Sequence, residues 1–371
     1  MGTSIRLGRI FGIPIGISYS WFLVFALITY TLAREFDMFP GWSDAARWLA
    51  AVVTSILFFA SVLFHELSHA LLARRKGIPV KGITLFIFGG IAQITEEAKK
   101  PSTELLIGGV GPLSSLVLSL AFLGASFLLR LWNPHFGTIA FWLFGVNMLL
   151  AVFNMVPGFP MDGGRVFRAV LWWVTGDYYK ATSIATWAGR AIGMAMIVGG
   201  VAWAFFGRDL LQGLWLALIG WFLTSAASAT QQQLKVRKSL DGRRARDLMD
   251  FNCPTVPGDI SVSTLVESYV VPTGNRLFVV GDLNTPQGVV SVRDIKLVGR
   301  KQWPATLVQS VMRPLEAVRT VEPGEDAFRV LEVMEEAEVS EIPVKYDGRI
   351  VGVIGRESIL RFLRARSDLG M

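Results

Sequence analysis

Cysteine occurs once, at Cys253, and histidine only three times in 371 residues. A lone cysteine excludes an internal disulfide and any thiolate metal cluster, so Cys253 is expected to be an ordinary structural residue. Charge is scarce too: Asp, Glu, Lys and Arg make up 18% of the chain, against roughly a quarter in soluble domains. There is no low-complexity tract and no basic stripe interleaved with aromatics. The net charge of +7 is therefore not a nucleic-acid footprint. The opening stretch, MGTSIRLGRIFGIPIG, lacks the small-residue exit site of a cleavable signal. The first hydrophobic span is expected to be retained.

What the chain has is apolar residues, 52% of the total with a mean hydropathy of +0.47. They concentrate in residues 1–230, whereas residues 232–371 have ordinary globular composition. The expected organisation is a membrane domain (1–230), a linker (231–243) and a soluble domain (244–371). Stretches long enough to cross a bilayer fall near 18–33, 46–73, 104–130, 136–157, 184–206 and 209–229. Arg and Lys cluster before the first (Arg6, Arg9), between the second and third, between the fourth and fifth (Arg165, Arg168, Lys180) and after the sixth. The opposite loops carry only scattered basic residues such as Arg34, Arg47, Arg130 and Arg208. The positive-inside rule then predicts a multi-pass protein of the cell membrane, embedded in the lipid bilayer, with the N-terminus and the C-terminal domain cytoplasmic. The stretches 5–17 (IRLGRIFGIPIGI) and 82–94 (GITLFIFGGIAQI) are rich in β-branched and aromatic residues. They predict a small membrane-associated β-sheet.

The C-terminal region repeats itself at an offset of about 64–66 residues. LMD (248–250) matches VMR (311–313), PGD (257–259) matches PGE (323–325), and GVV (288–290) matches GVI (352–354). Two α+β modules are expected, one over about 244–300 and the other over about 305–366.

Within the second span stands HELSH, residues 65–69. Ionisable groups in hydrocarbon cost several kcal/mol apiece and persist only where they pair, bind something or face water. In H-E-x-x-H on a helix the two histidines, at i and i+4, share one face and can hold one metal. Glu66, at i+1, is turned aside, where it can reach a metal-bound water. A catalytic zinc site takes three protein ligands and leaves a fourth position for water. A third ligand is therefore needed. Asp162 is the only acid of NMVPGFPMDGGRVFR (154–168), where Pro157 and Pro160 must break the helix. Glu96 and Glu97 are rivals, set beside Lys99 and Lys100. Asn154 could donate to a developing oxyanion or cap broken backbone. His135 is expected on the surface of a far-side loop.

HELSH together with NMVPGFPMDGG resembles the site-2 protease family of intramembrane zinc metalloproteases, in the branch of the sporulation sigma-factor-processing enzymes. The resemblance implies that His65, His69 and Asp162 bind one Zn2+ per chain, that Glu66 is the general base, and that Asn154 assists substrate or oxyanion. The FGG at 88–90 resembles the family's glycine-bearing strand, which makes Gly89 and Gly90 candidate substrate-binding residues. Spans two and three enclose no PDZ-sized insertion, which excludes the branch that carries one. The C-terminal repeat resembles a pair of cystathionine-β-synthase-like (CBS) modules, which hold an adenosine ribose with Ser/Thr-x-x-Asp. Module one has that motif in Ser291 and Asp294, while module two has Gly355 and Ser358 there. ATP or AMP at module one is the cofactor this implies, and CBS pairs also suggest a homodimer.

The expected fold is thus a polytopic α-helical membrane protein, with six transmembrane helices and a small sheet, followed by a soluble α+β tandem CBS domain. The expected substrates are single-span membrane proteins of anti-sigma factor, pro-sigma factor or remnant signal-peptide type. Such a helix must unwind, and the 82–94 strand would take the extended segment by edge pairing. Two other readings stand beside this one: a CBS-regulated metal-ion transporter or channel, and a non-catalytic membrane sensor that binds no zinc.

Overall fold

A computed structural model describes the chain except residues 1–3, 38–40, 42, 95, 208 and 369–371. Arg208, counted among the scattered basic residues, lies outside the described residues. The chain divides into two compact units, Met1–Leu234 and Lys235–Met371.

The N-terminal unit opens with strands β1 (Ser4–Ile10) and β2 (Ile13–Ser18), followed by helices α1 (Tyr19–Phe36) and α2 (Asp44–Arg75). Strands β3 (Val80–Phe86) and β4 (Gly89–Ile94) come next, then α3 (Pro101–Trp132), α4 (Pro134–Asn154), α5 (Asp162–Thr175), α6 (Tyr178–Phe206) and α7 (Leu210–Leu240). Among the described residues α2, α3, α4, α6 and α7 are long and apolar enough to cross a membrane. Helix α1, 18 residues ending in Arg34-Glu35-Phe36, is the shortest of the six predicted spans. Residues 231–240, assigned to the linker, continue α7 as helix.

The predicted sheet is present, with strand order β1-β2-β3-β4. Strands β2 and β3 run parallel, Ile15 opposite Ile83 and Ile17 opposite Leu85. The 82–94 stretch is a hairpin rather than one strand: β3 and β4 are antiparallel, with Leu85 opposite Gly90 and Phe86 opposite Gly89. Ile13, Ile15 and Ile83 pack on Leu67 and Ala70 of α2. This burial lays the sheet against the part of α2 that carries HELSH, and β4 is its outer edge on that side.

Two features of 154–180 depart from the sequence reading. The fourth span stops at Asn154, and Met155–Met161 turn the chain before α5 begins at Asp162. Helix α5 itself was not anticipated. Arg165 and Arg168, read as boundary charges, both pair with Glu104 of α3, whose side chain is 1% exposed. Arg168 is 5% exposed, so it belongs to the interior and says nothing about membrane orientation.

In the C-terminal unit, β5 (Thr255–Val256), β6 (Leu277–Gly281), β7 (Pro286–Ser291) and β8 (Arg313–Pro314) form one sheet, and β9 (Glu341–Tyr346) pairs with β10 (Arg349–Gly355). Strand β6 is buried on both faces. Phe278 and Val280 face the core of module one, while Leu277 and Val279 join Ile350 and Val353 of module two in a shared core. The modules also exchange their opening segments. Leu240, Ala245 and Leu248 lie in the core of module two, and Val308 lies in that of module one. Backbone bonds fix the exchange, Ala245 N to Glu325 O at 2.8 Å and Val308 N to Ile260 O at 2.9 Å.

Candidate metal centre

Helix geometry brings the two imidazoles of α2 to one face, and the Pro-interrupted turn after α4 brings the first residue of α5 up to them. His65 Nε2 and His69 Nε2 each lie 3.0 Å from Asp162 Oδ2, and 3.2 Å from each other. Both histidines are 3% exposed. This trio is the one group among the described residues whose atoms could hold a metal ion. Glu96, Glu97 and His135 are not part of it.

The donor chemistry fits a cation. His69 Nδ1 lies 2.6 Å from the carbonyl of Ile107. A carbonyl only accepts, so Nδ1 carries a proton, which leaves Nε2 as the nitrogen that can serve as a metal ligand when the ring is neutral. Nε2 faces a carboxylate oxygen, and a cation or a proton between the two satisfies both. His65 Nδ1 is likewise held, 2.9 Å from Ser115 Oγ. Such partners fix tautomer and ring orientation in metal sites. The 3.0, 3.0 and 3.2 Å edges are close to the ~3.4 Å edge of a tetrahedral zinc site with bonds of ~2.0–2.1 Å.

Helix α3 is the template for the site, and sequence reasoning missed it. Besides Ile107 and Ser115 it supplies Gly111, where a Cβ would collide with Nε2 of His69 and lie 2.8 Å from Nε2 of His65. Only glycine lets α3 pass this close. A Cβ at Gly108 would come within 3.1 Å of Arg165 Cβ and 3.3 Å of Asp162 O, so α5 is seated on the same helix. Glu104, one turn earlier, clamps α5 through Arg165 Nε at 3.1 Å and through Arg168. The guanidinium of Arg168 also bonds Tyr178 Oη at 2.8 Å and stacks over the Phe159 ring at 4.9 Å. The sequence signal for all this was the run GGVGP at 108–112 within an apolar span, together with one acid, Glu104, at its head.

Glu66 stands outside the trio, as its i+1 position predicts. Its Oε2 accepts a bond from the Ala92 amide of β4 at 3.1 Å. Gly90 lies against its side chain, and Gly89 has φ +128°. Asn154 donates from Nδ2 to Leu150 O at 3.0 Å within its own helix and makes no recorded bond to the trio.

In module one Ser291 and Asp294 close a capping box at the start of the helix Val292–Leu297. Ser291 Oγ donates to Asp294 Oδ2 at 2.6 Å, and Arg313 Nε lies 3.0 Å from Asp294 Oδ1. The cavity beside them measures about 80 Å³, well below the ~300 Å³ of a small-molecule pocket. Gly355 and Ser358 line a larger hollow of about 220 Å³ with Asp250, Arg276 and Glu341.

Peptidase family M50 matches residues 53–134 and 129–198, stretches that hold HELSH and Asp162, and the CBS domain matches 245–299 and 308–365. A relative from Synechocystis sp. whose name assigns it to the zinc metalloproteases is 33% identical over 98% of this chain and 96% of its own. The chain belongs to peptidase family M50. It is a multi-pass membrane zinc metalloprotease with two CBS domains. The zinc metalloprotease MJ0392 of Methanocaldococcus jannaschii is 28% identical over 97% of this M50 chain and 96% of its own. Among solved structures, the site-2 protease from the same organism is 30% identical, covering 62% of this chain and 95% of that one with a TM-score of 0.43.

Proposed function

We propose that this M50 protease hydrolyses peptide bonds in or near the membrane-spanning segments of other membrane proteins. His65, His69 and Asp162 hold the zinc and Glu66 acts as general base. The observation that carries the reading is the convergence of Nε2, Nε2 and Oδ2 within 3.2 Å of one another in an apolar bundle. When bound, zinc polarises the scissile carbonyl and makes its water acidic enough to ionise near neutral pH. Glu66 takes the proton from that water and returns it to the leaving amine. The outer edge of β4 pairs with the locally unwound substrate, satisfying backbone groups that lipid cannot. Asn154 becomes an oxyanion donor only when its Nδ2 releases the Leu150 carbonyl.

The basic residues that flank the spans, Arg168 set aside, support a cytoplasmic N-terminus and cytoplasmic CBS domains, and family membership suggests anti-sigma factors, pro-sigma factors or remnant signal peptides as substrates. Adenine nucleotide at Ser291 and Asp294 is part of the proposal and requires Arg313 to leave Asp294. Titrating the full-length protein with ATP and AMP tests it: no binding at millimolar ligand removes nucleotide control and leaves the protease assignment intact.

The deciding experiment compares wild type with Glu66→Gln against a panel of single-span membrane proteins in liposomes. The protease reading expects cleavage by wild type and none by the variant, both carrying one zinc. Ion flux without any cut product would instead mean a transporter.

A further inference from the structure

Gly89 and Gly90 entered as substrate-approach residues, yet the structure gives Gly90 a different neighbour. A Cβ there would collide with Glu66 Cγ, and would stand 3.1 Å from Cδ and 3.3 Å from Oε1. Two residues on, the Ala92 amide donates to Oε2 of the same carboxylate at 3.1 Å. Gly90 and Ala92 thus both meet Glu66, Gly90 leaving room for its stem and the Ala92 amide providing the bond to its carboxylate. Gly89, whose positive φ points to backbone shape, has nothing within 4 Å of its built Cβ.

We infer that β4 positions the general base, with Gly90 and Ala92 as positioning residues that hold the Glu66 carboxylate in its working orientation. The inference rests on the reading of Glu66 as base. An amide carries one proton, and the Ala92 proton is spent on Oε2. The other oxygen, Oε1, is left as the acceptor for a proton from water. A glutamate has three side-chain torsions, and locking one oxygen to a strand removes most of that freedom. The strand proposed to receive substrate on its outer edge thereby also fixes the base. One element sets the position of both reacting partners, which is how an enzyme keeps attack geometry within reach.

This separates two roles that mutation can tell apart. Loss of a substrate-approach glycine raises KM, whereas loss of a base-positioning glycine lowers kcat with KM kept. The kinetic arm uses full-length protein in liposomes and the single-span substrate that wild type cuts. Gly90→Ala should reduce kcat at least a hundredfold with KM within about twofold, a loss in the range of general-base removal. Ala92→Pro removes the donor and sets the ring Cδ where the amide proton pointed, so Oε2 is forced off the strand. It should reduce kcat about tenfold or more, the worth of one hydrogen bond to a charged group. Gly109→Ala, whose Cβ meets nothing within 4 Å, is the control with unchanged kinetics. Zinc content should stay at one per chain in all three.

A second arm needs neither substrate nor metal. In Cys253→Ser protein, Glu66→Cys with Gly90→Cys should form a disulfide under mild oxidation in membranes. Glu66→Cys with Gly109→Cys should not. Absence of that crosslink, or a Gly90→Ala enzyme with normal kcat, or one with raised KM and normal kcat, overturns the inference. Cleavage surviving Glu66→Gln would instead overturn the underlying protease reading, so the two failures are distinct.

Discussion

Two polar clusters are buried side by side in the N-terminal unit, both built on α3, and they are opposites. Around Glu104 one buried acid meets two guanidiniums at bonding distance, and Glu97 lies 3.8 Å from Arg168, so two acids face two bases. Around Asp162 one acid meets two imidazole nitrogens, the three atoms lying close enough together to share one cation. Burial alone does not distinguish them. What distinguishes them is the partner each acid meets: guanidiniums in the first, imidazoles able to share a metal in the second. The first fixes α5 against α3, and the second is the site at which zinc binding is proposed.

The comparison can be broken or sharpened by mutation. The largest effect is expected at Gly111→Ala, which drives a methyl group into both imidazoles. Bound zinc and cleavage should both fall below detection, as elemental analysis and the substrate panel would show. Glu104→Gln takes the acid from buried Arg168 and half-buried Arg165 and should cost about 3 kcal/mol of stability, seen as a lower melting temperature in detergent. Molecules that remain folded should keep zinc and lose less than tenfold in activity. If zinc vanishes while melting is unchanged, the assignment of the two clusters is reversed. Ser115→Ala removes the partner of His65 Nδ1 and should weaken zinc affinity 10–100-fold in chelator competition, with little change in melting. The smallest effect concerns Cys253, a buried group with no partner to balance. Burial pushes its thiol up to about 11, so roughly one thiol in a thousand is ionised at pH 8. Iodoacetamide should label it at least a hundredfold more slowly in the folded protein than in denaturant, and rapid labelling would mean that the CBS core is open.

Sequence resolved these clusters unequally, for a physical reason. HELSH is local: a helix repeat fixes which face the histidines share before any tertiary contact forms. Asp162 was legible because two prolines and three glycines around a single acid mark broken helix in hydrocarbon. The sheet followed from β-branched runs at 5–17 and 82–94, although the turn that makes the second run a hairpin did not. Arg165 and Arg168 were misread because a basic residue near a span end suggests a membrane boundary, and their partner Glu104 lies about sixty residues away. The role of α3 was hidden for the same reason. Gly108 and Gly111 matter through what passes beside them, and a single chain offers no local signal for that. Gly90 was noticed as a glycine in a strand, but only its contact with Glu66 tells what it is for.

The most direct test of the metal centre is zinc content per chain in purified wild type and in Asp162→Asn. One zinc in the wild type and none in the variant, with both proteins folded, is the result predicted here. A variant that retains its full zinc, or a wild type that never carries any, would contradict it.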